Sequence, residues 1–207
     1  MKIVLGQINP TVGDIIGNYK KIVTNISKFN NKADLIIFPE LSISGYPLED
    51  LVLKDSFLKE ISCILSKLET YCLRKNIAVI LGAPITDNNS IYNAGIFLHK
   101  KKKTIIYKNK LPNYGVFDEK RVFKSGNKYN TIKYKGFKLG LLICEDMWFS
   151  SLPLHLKKDG ADIFICINAS PYETEKLPKR ISIASRIVKK TKIPLLYINQ
   201  FGGQDEL

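Results

Sequence analysis

The chain has 207 residues, enough for one sizeable core and short for two ordinary domains. Its 45% apolar and 25% charged shares are those of a globular chain, and no apolar run approaches the about 20 residues of a membrane span. The net charge of +13 invites nucleic acid as a partner, but 28 of the 32 basic residues are lysine, scattered along the chain rather than gathered into an arginine-rich footprint, so no nucleic acid is expected.

The first apolar run is too short for a signal peptide, and a cytoplasmic location is expected. Residues 2–8 read as a strand, residues 18–30 as a helix with Ile22, Ile26 and Phe29 on one face, and 33–38 as a second strand. A longer helix covers 55–75, followed by a strand over 77–84. Two strands, 91–99 and 103–108, flank the basic run from His99 to Lys103, which reads as a solvated hairpin tip. Residues 131–134 and 137–144 form a hairpin around Lys135-Gly136, then come a strand (161–168), a helix (177–191) and a last strand (194–199). Strands apolar throughout imply sheets covered on both faces, and hairpins inserted in an α/β order imply mixed sheets. The stretch 109–130 has no regular pattern, and ordered loops of that length are usually functional.

The four cysteines form no CxxC pair, and His99 and His155 stand far from them in sequence, so no metal site is expected. Cys63 and Cys72 read as packing residues of the long helix, and Cys166 as an inert side chain of a buried strand. Cys144 differs: it ends the apolar run "LLIC" and is followed at once by Glu145 and Asp146.

Three strand-like runs end in reactive side chains: "LIIFPE" in Glu40, "TIIYK" in Lys108 and "LGLLIC" in Cys144. Ligands of α/β folds collect outside the carboxyl ends of strands. Singly, each has an ordinary reading as loop acid, surface lysine or packing thiol; together they make a reaction centre. A Glu can take a thiol proton, and a Lys can hold a thiolate and then the oxyanion of a tetrahedral intermediate. The backbone N–H of Glu145 is a second oxyanion donor. Such a site suits attack on an amide or nitrile carbon. Lys110 shares a strand face with Lys108, so direction alone does not choose between them.

With these residues in place, the chain resembles the nitrilase (carbon–nitrogen hydrolase) superfamily, whose Glu-Lys-Cys triad sits on an α-β-β-α sandwich with two mixed sheets covered by helices. The stretches "QINPTVGDIIGN", "FPELSISGYPLEDL", "KNKLPNYGVFDEKRVF", "LLICEDMW" and "NQFGGQDEL" narrow the resemblance to the glutaminase domains of glutamine-dependent NAD synthetases. The resemblance implies Glu40 as general base, Lys108 (by its spacing to "LPNY") as triad lysine and Cys144 as nucleophile. It also implies Glu119 as a second acid near that lysine, Tyr46 and Tyr114 lining a glutamine pocket, Glu145 and Ser170 on the substrate's α-amino group, and Arg180 on its α-carboxylate. It implies no cofactor for glutamine hydrolysis; ATP and Mg would serve only a synthetase domain, fused or separate. It further implies a homo-oligomer in the full-length protein. No Ser-Gly-Gly-x-Asp-Ser phosphate loop occurs in the chain, so residues 1–207 are expected to be the glutaminase part without its last strands and without the synthetase domain. A general amidase or carbamoylase, or a non-catalytic fragment, are the other readings.

Overall fold

The computed structural model describes residues 1–204; the end of the "GGQDEL" stretch, 205–207, lies outside the described residues. Strands β1 (Ile3–Leu5), β2 (Leu35–Ile37), β3 (Ala78–Asp87), β4 (Ser90–His99) and β5 (Lys102–Tyr107) form one sheet in that order. The first three are parallel and the last three antiparallel. Strands β6 (Ile132–Tyr134), β7 (Phe137–Ile143), β8 (Ile163–Asn168) and β9 (Leu195–Asn199) form the second sheet, where an antiparallel β6–β7 hairpin precedes two parallel pairs. Parallel neighbours need crossover connections. Helices supply them: α1 (Ile15–Phe29) and α2 (Asp55–Lys75) in the first sheet, α4 (Ser151–Lys158) and α5 (Lys176–Thr191) in the second.

Side-chain alternation sorts the strands into layers. Leu35, Ile37, Ile80 and Phe97 of the first sheet pack against Leu139, Leu141, Ile143, Ile165 and Ile167 of the second. The opposite face of the first sheet, with Ile36, Val79, Leu81 and Ile96, is covered by Ile22 and Ile26 of α1 and by Ile61, Leu65 and Leu68 of α2. The outer face of the second, with Leu142, Phe164 and Cys166, lies under Leu152 and Leu156 of α4 and Ile183 and Ile187 of α5. The architecture is therefore the α-β-β-α sandwich with two mixed sheets. Strands buried on both faces lose the polar alternation of a half-exposed sheet, which is why their sequences are apolar throughout. The sheets meet closely at Gly95, where an added Cβ would sit 2.5 Å from the Cδ2 of Leu141.

Several expectations are adjusted. Helix α1 starts earlier than residue 18 because Asp14 caps it, its carboxylate accepting from the Gly17 N–H at 2.8 Å. Cys63 is exposed and is no packing residue, whereas Cys72 and Cys166 are buried as expected. The stretch 109–130 is broken by one short helix, α3 (Glu119–Val122). Trp148 packs against the core beneath α4 and α5. Lys100 to Lys103 are exposed around the β4–β5 turn, whereas His99 is half-buried, its ring edge-on to Tyr134. Among the described residues no helix is long and apolar enough to cross a membrane.

Candidate active site

Glu40 lies three residues beyond β2, in a turn pressed onto β3. Gly82 makes this approach possible: a Cβ there would fall 2.2 Å from the Leu41 nitrogen and 2.7 Å from the Glu40 Cα. Lys108 follows β5 directly. Its backbone N–H donates to the Asn93 carbonyl and its own carbonyl accepts from the Gly126 N–H, both at 2.8 Å. Cys144 follows β7 and opens a 3₁₀ turn (Cys144–Trp148) with a left-handed φ of +47°. A non-glycine residue in that region carries about 1–2 kcal/mol of strain, which here turns the chain sharply at the thiol.

These strand ends converge in the interior. The Lys108 ammonium donates to Oε1 of Glu40 at 2.6 Å and to Oε1 of Glu119 at 2.7 Å. Lys108 is 1% exposed, Glu40 0% and Glu119 3%. Glu40 is filled further by the Asn93 amide on Oε1 (2.8 Å) and by the Ala169 N–H on Oε2 (2.9 Å). Burial by itself would drive the Lys108 proton off, but Glu119 and Glu40 outweigh it and hold the ammonium charged well above the ordinary lysine range. Burial, eased by Lys108 and reinforced by Glu40, lifts Glu119 from 4.5 to about 7. The Cys144 thiol is pushed well above its ordinary value by burial and then by Glu40, with Lys108 pulling the other way. A neutral thiol beside a carboxylate and a fixed cation is a nucleophile that reacts only when its proton is taken.

The expected neighbours fall into two groups. Tyr46 is buried in the electrostatic reach of Glu119, Lys108, Glu40 and Cys144. Its ring neighbours Phe117 at 6.3 Å, and a cavity of about 170 Å³ opens between Tyr46, Glu119 and Phe123. Outside the interior lie two pairs, Tyr114 with Glu145 and Ser170 with Arg180, here called the rim. The exposed Tyr114 hydroxyl donates to Oε2 of Glu145 at 2.9 Å. Arg180 reaches back from α5 to donate to the Ser170 hydroxyl at 2.8 Å and the Pro171 carbonyl at 2.6 Å. Ser170 and Arg180 line a cavity of about 440 Å³ with Asn199 and Gln200. The rim is tied to the interior through chain neighbours, since Glu145 follows Cys144 and Ser170 follows Ala169.

Lys110 is not a second candidate for the interior. Its ammonium lies over the Phe149 ring, 4.9 Å from the centroid, while its backbone N–H donates to Asp146. Sequence reading missed two buried polar residues that touch this machinery, Asn93 and Asp146. Each had a signal: Asn93 is the polar interruption of the apolar run "IYNAGIF", and Asp146 is the second acid after Cys144. Among the described residues no group of three or more His, Cys, Asp and Glu is arranged to hold a metal ion.

Comparison with known proteins gives the family and the fold. Residues 2–207 match the family described as carbon-nitrogen hydrolase. Glutamine-dependent NAD(+) synthetases of Acinetobacter baylyi and Aquifex aeolicus are 39% and 37% identical over 100% of this chain, which spans 38% and 37% of their lengths. The solved glutamine-dependent NAD+ synthetase of Acinetobacter baumannii superposes with a TM-score of 0.94 at 35% identity, covering 100% of this chain and 39% of that one. An amidase of Nesterenkonia sp. shares the fold, with a TM-score of 0.88 at 21% identity over 99% of this chain and 77% of that one. With its whole length matched and its two sheets superposable on these structures, the chain belongs to the carbon-nitrogen hydrolase family.

Proposed function

We propose that this chain hydrolyses the side-chain amide of glutamine to glutamate and ammonia through a thioester on Cys144. The observation that carries the reading is the Lys108 ammonium held between the Glu40 and Glu119 carboxylates, beside a buried neutral thiol. Glu40 takes the thiol proton; its Oε2 has one donor where Oε1 has two, so Oε2 is the freer acceptor. The thiolate then forms a C–S bond at the amide carbon as the carbonyl π pair moves to oxygen. Two of the three Lys108 N–H groups are bound to carboxylates, which leaves the third for that oxyanion. The Glu145 N–H, next to the nucleophile, is the second donor. Collapse breaks the C–N bond, and the proton on Glu40 goes to the leaving nitrogen, giving ammonia. Water gives its proton to Glu40 and adds to the thioester; the C–S bond breaks and the thiolate recovers the proton. Base, cation and nucleophile all come from the chain, so this half-reaction uses no cofactor.

Relatives along the whole chain named glutamine-dependent NAD(+) synthetases support glutamine as the amide and a synthetase as the destination of the ammonia. In this reading Glu145 and Ser170 hold the α-amino group and Arg180 the α-carboxylate, matching a zwitterion. Tyr46 and Tyr114 wall the pocket. A synthetase domain, fused or separate, consumes the ammonia in an ATP- and Mg-dependent reaction on nicotinic acid adenine dinucleotide. The test is ammonia release from glutamine against a panel of short amides. Glutamine turnover lost on Cys144→Ala supports the proposal; no glutamine turnover beside brisk hydrolysis of another amide makes the chain a general amidase.

A further inference from the structure

Asp146 is a buried carboxylate that the reaction just described does not use. It is 1% exposed, and its side-chain partners are main-chain N–H groups on two separate segments. Oδ1 accepts from Asn109 at 3.0 Å and from Lys110 at 2.8 Å, the two residues that follow Lys108. Oδ2 accepts from Ile143 at 3.1 Å, the residue that precedes Cys144. One side chain thus clamps the segment carrying the ammonium to the turn carrying the thiol.

We propose that Asp146 is a positioning residue that fixes the Lys108 ammonium relative to the Cys144 thiol by bracketing Asn109, Lys110 and Ile143. The inference rests on the reading of Lys108 and Cys144 as reacting partners.

Three features of the geometry require this residue type. The clamp faces donors alone, so both of its arms must be acceptors, and a carboxylate supplies acceptor sites on both oxygens. An asparagine of the same shape turns one arm into a donor and sets it against an N–H. The joined segments come from different sheets: Lys108 follows β5 of the first, Cys144 follows β7 of the second. Sheet pairing therefore does not fix their relative position, and side-chain packing between layers locates a strand end less sharply than direct hydrogen bonds. Finally, the turn at Cys144 holds a left-handed φ of +47°, which persists only where surrounding contacts over-determine it. The bond from Asp146 to Ile143 closes that turn from within. Burial lifts the Asp146 carboxyl from 3.8 to about 7, with the Lys110 N–H and the Lys108 charge opposing it. A purely apolar filler would avoid that cost, and the clamp gives the carboxylate its reason to be there.

The effect is read on Cys144 itself and on turnover. Wild type, Asp146→Ala and Asp146→Asn are compared after circular dichroism has established that each is folded. Alkylation of Cys144 by iodoacetamide, followed by intact mass, reports the thiol without needing an amide substrate. It is expected to slow about tenfold in Asp146→Ala, since a displaced ammonium stabilises the thiolate less. With glutamine, kcat is expected to fall about 100-fold while KM stays within about threefold, the signature of lost alignment rather than lost binding. Asp146→Asn keeps part of the clamp and falls between wild type and Asp146→Ala; if the alanine variant does not fold, this near-isosteric one decides by the same two measurements. Alkylation and kcat per folded molecule within about twofold of wild type, even with a lowered melting temperature, would overturn the inference and leave Asp146 as part of the fold alone. If wild type turns over no amide yet alkylation slows in the variants, the glutaminase reading fails and the clamp stands.

Discussion

Lys108 and Arg180 are both cations held by oxygen acceptors, but they are held differently. Lys108 sits 1% exposed between two carboxylates, each of them buried. Arg180 is half-buried and spends one nitrogen on three neutral oxygens of Ser170 and Pro171. The floor of the site holds Glu40, Lys108 and Glu119, a network in which loss of one member strands a buried charge, with the buried Asp146 bonded to main-chain N–H groups next to it. The rim, with Tyr114, Glu145, Ser170 and Arg180, is open enough for water to replace what a substitution removes. In the proposed reaction the contrast separates two jobs. Reacting groups need one geometry, which burial enforces; a pocket that admits and releases a small polar molecule needs partners that exchange with water.

Substitutions should follow this division. Cys144→Ala is expected to abolish ammonia release, a loss on the order of 10⁴-fold or more, with the fold retained by circular dichroism. Lys108→Ala should come next: it removes the cation and leaves two buried carboxylates facing each other, so stability falls by about 3–5 kcal/mol in denaturant titration alongside lost turnover. Lys110→Ala, whose ammonium lies over the Phe149 ring, should stay within about threefold in rate and 1 kcal/mol in stability. Equal losses at the two lysines would erase the distinction between the buried cation and the outer one.

The floor also has a pH signature. Glu119 and Asp146 have carboxyls raised to about 7, from 4.5 and 3.8. Each binds its proton more tightly folded than unfolded, so its contribution to stability is present below about pH 4 and is lost as pH rises towards about 7. Carbon-13 carboxyl NMR should find two titrations near neutrality, one vanishing in Glu119→Gln and the other in Asp146→Asn. The smallest effects belong to the rim. Arg180→Ala should raise KM for glutamine about tenfold with kcat little changed, the scale of one lost charge-assisted contact. Tyr114→Phe, losing one exposed hydrogen bond, should change KM by no more than about threefold. A collapse of kcat in either variant would move that residue from rim to floor.

Much of this was legible in one dimension. All nine strands of the described residues were located, the inner ones by apolar runs, because strands buried on both faces must be apolar along their whole length, and β6, with Lys133 exposed, by the hairpin turn at Lys135-Gly136. Reactive side chains at the ends of β5 and β7, and beyond β2, singled out Lys108, Cys144 and Glu40 from many acids and lysines. The site's edges were harder to read. The expected packing role of Cys63 failed because it lies on the face of α2 opposite the buried stripe of Phe57, Ile61, Leu65 and Leu68, a placement that helical periodicity itself gives. Asn93 was passed over within an apolar strand, although its amide donates to Glu40 across 53 positions of sequence.

By itself the sequence determined the order of elements, the covering of the sheets on both faces, the three strand ends and the chemistry they suit, because periodicity and residue type are local quantities. The tertiary structure alone decided which of Lys108 and Lys110 enters the interior. Strand geometry would put their positions on one face, but β5 ends at Tyr107 and only Lys108 meets the two buried carboxylates. It alone decided that Asp146 is a clamp, because the N–H groups of Asn109 and Lys110 are 37 and 36 positions away and come within reach only when one sheet is laid on the other.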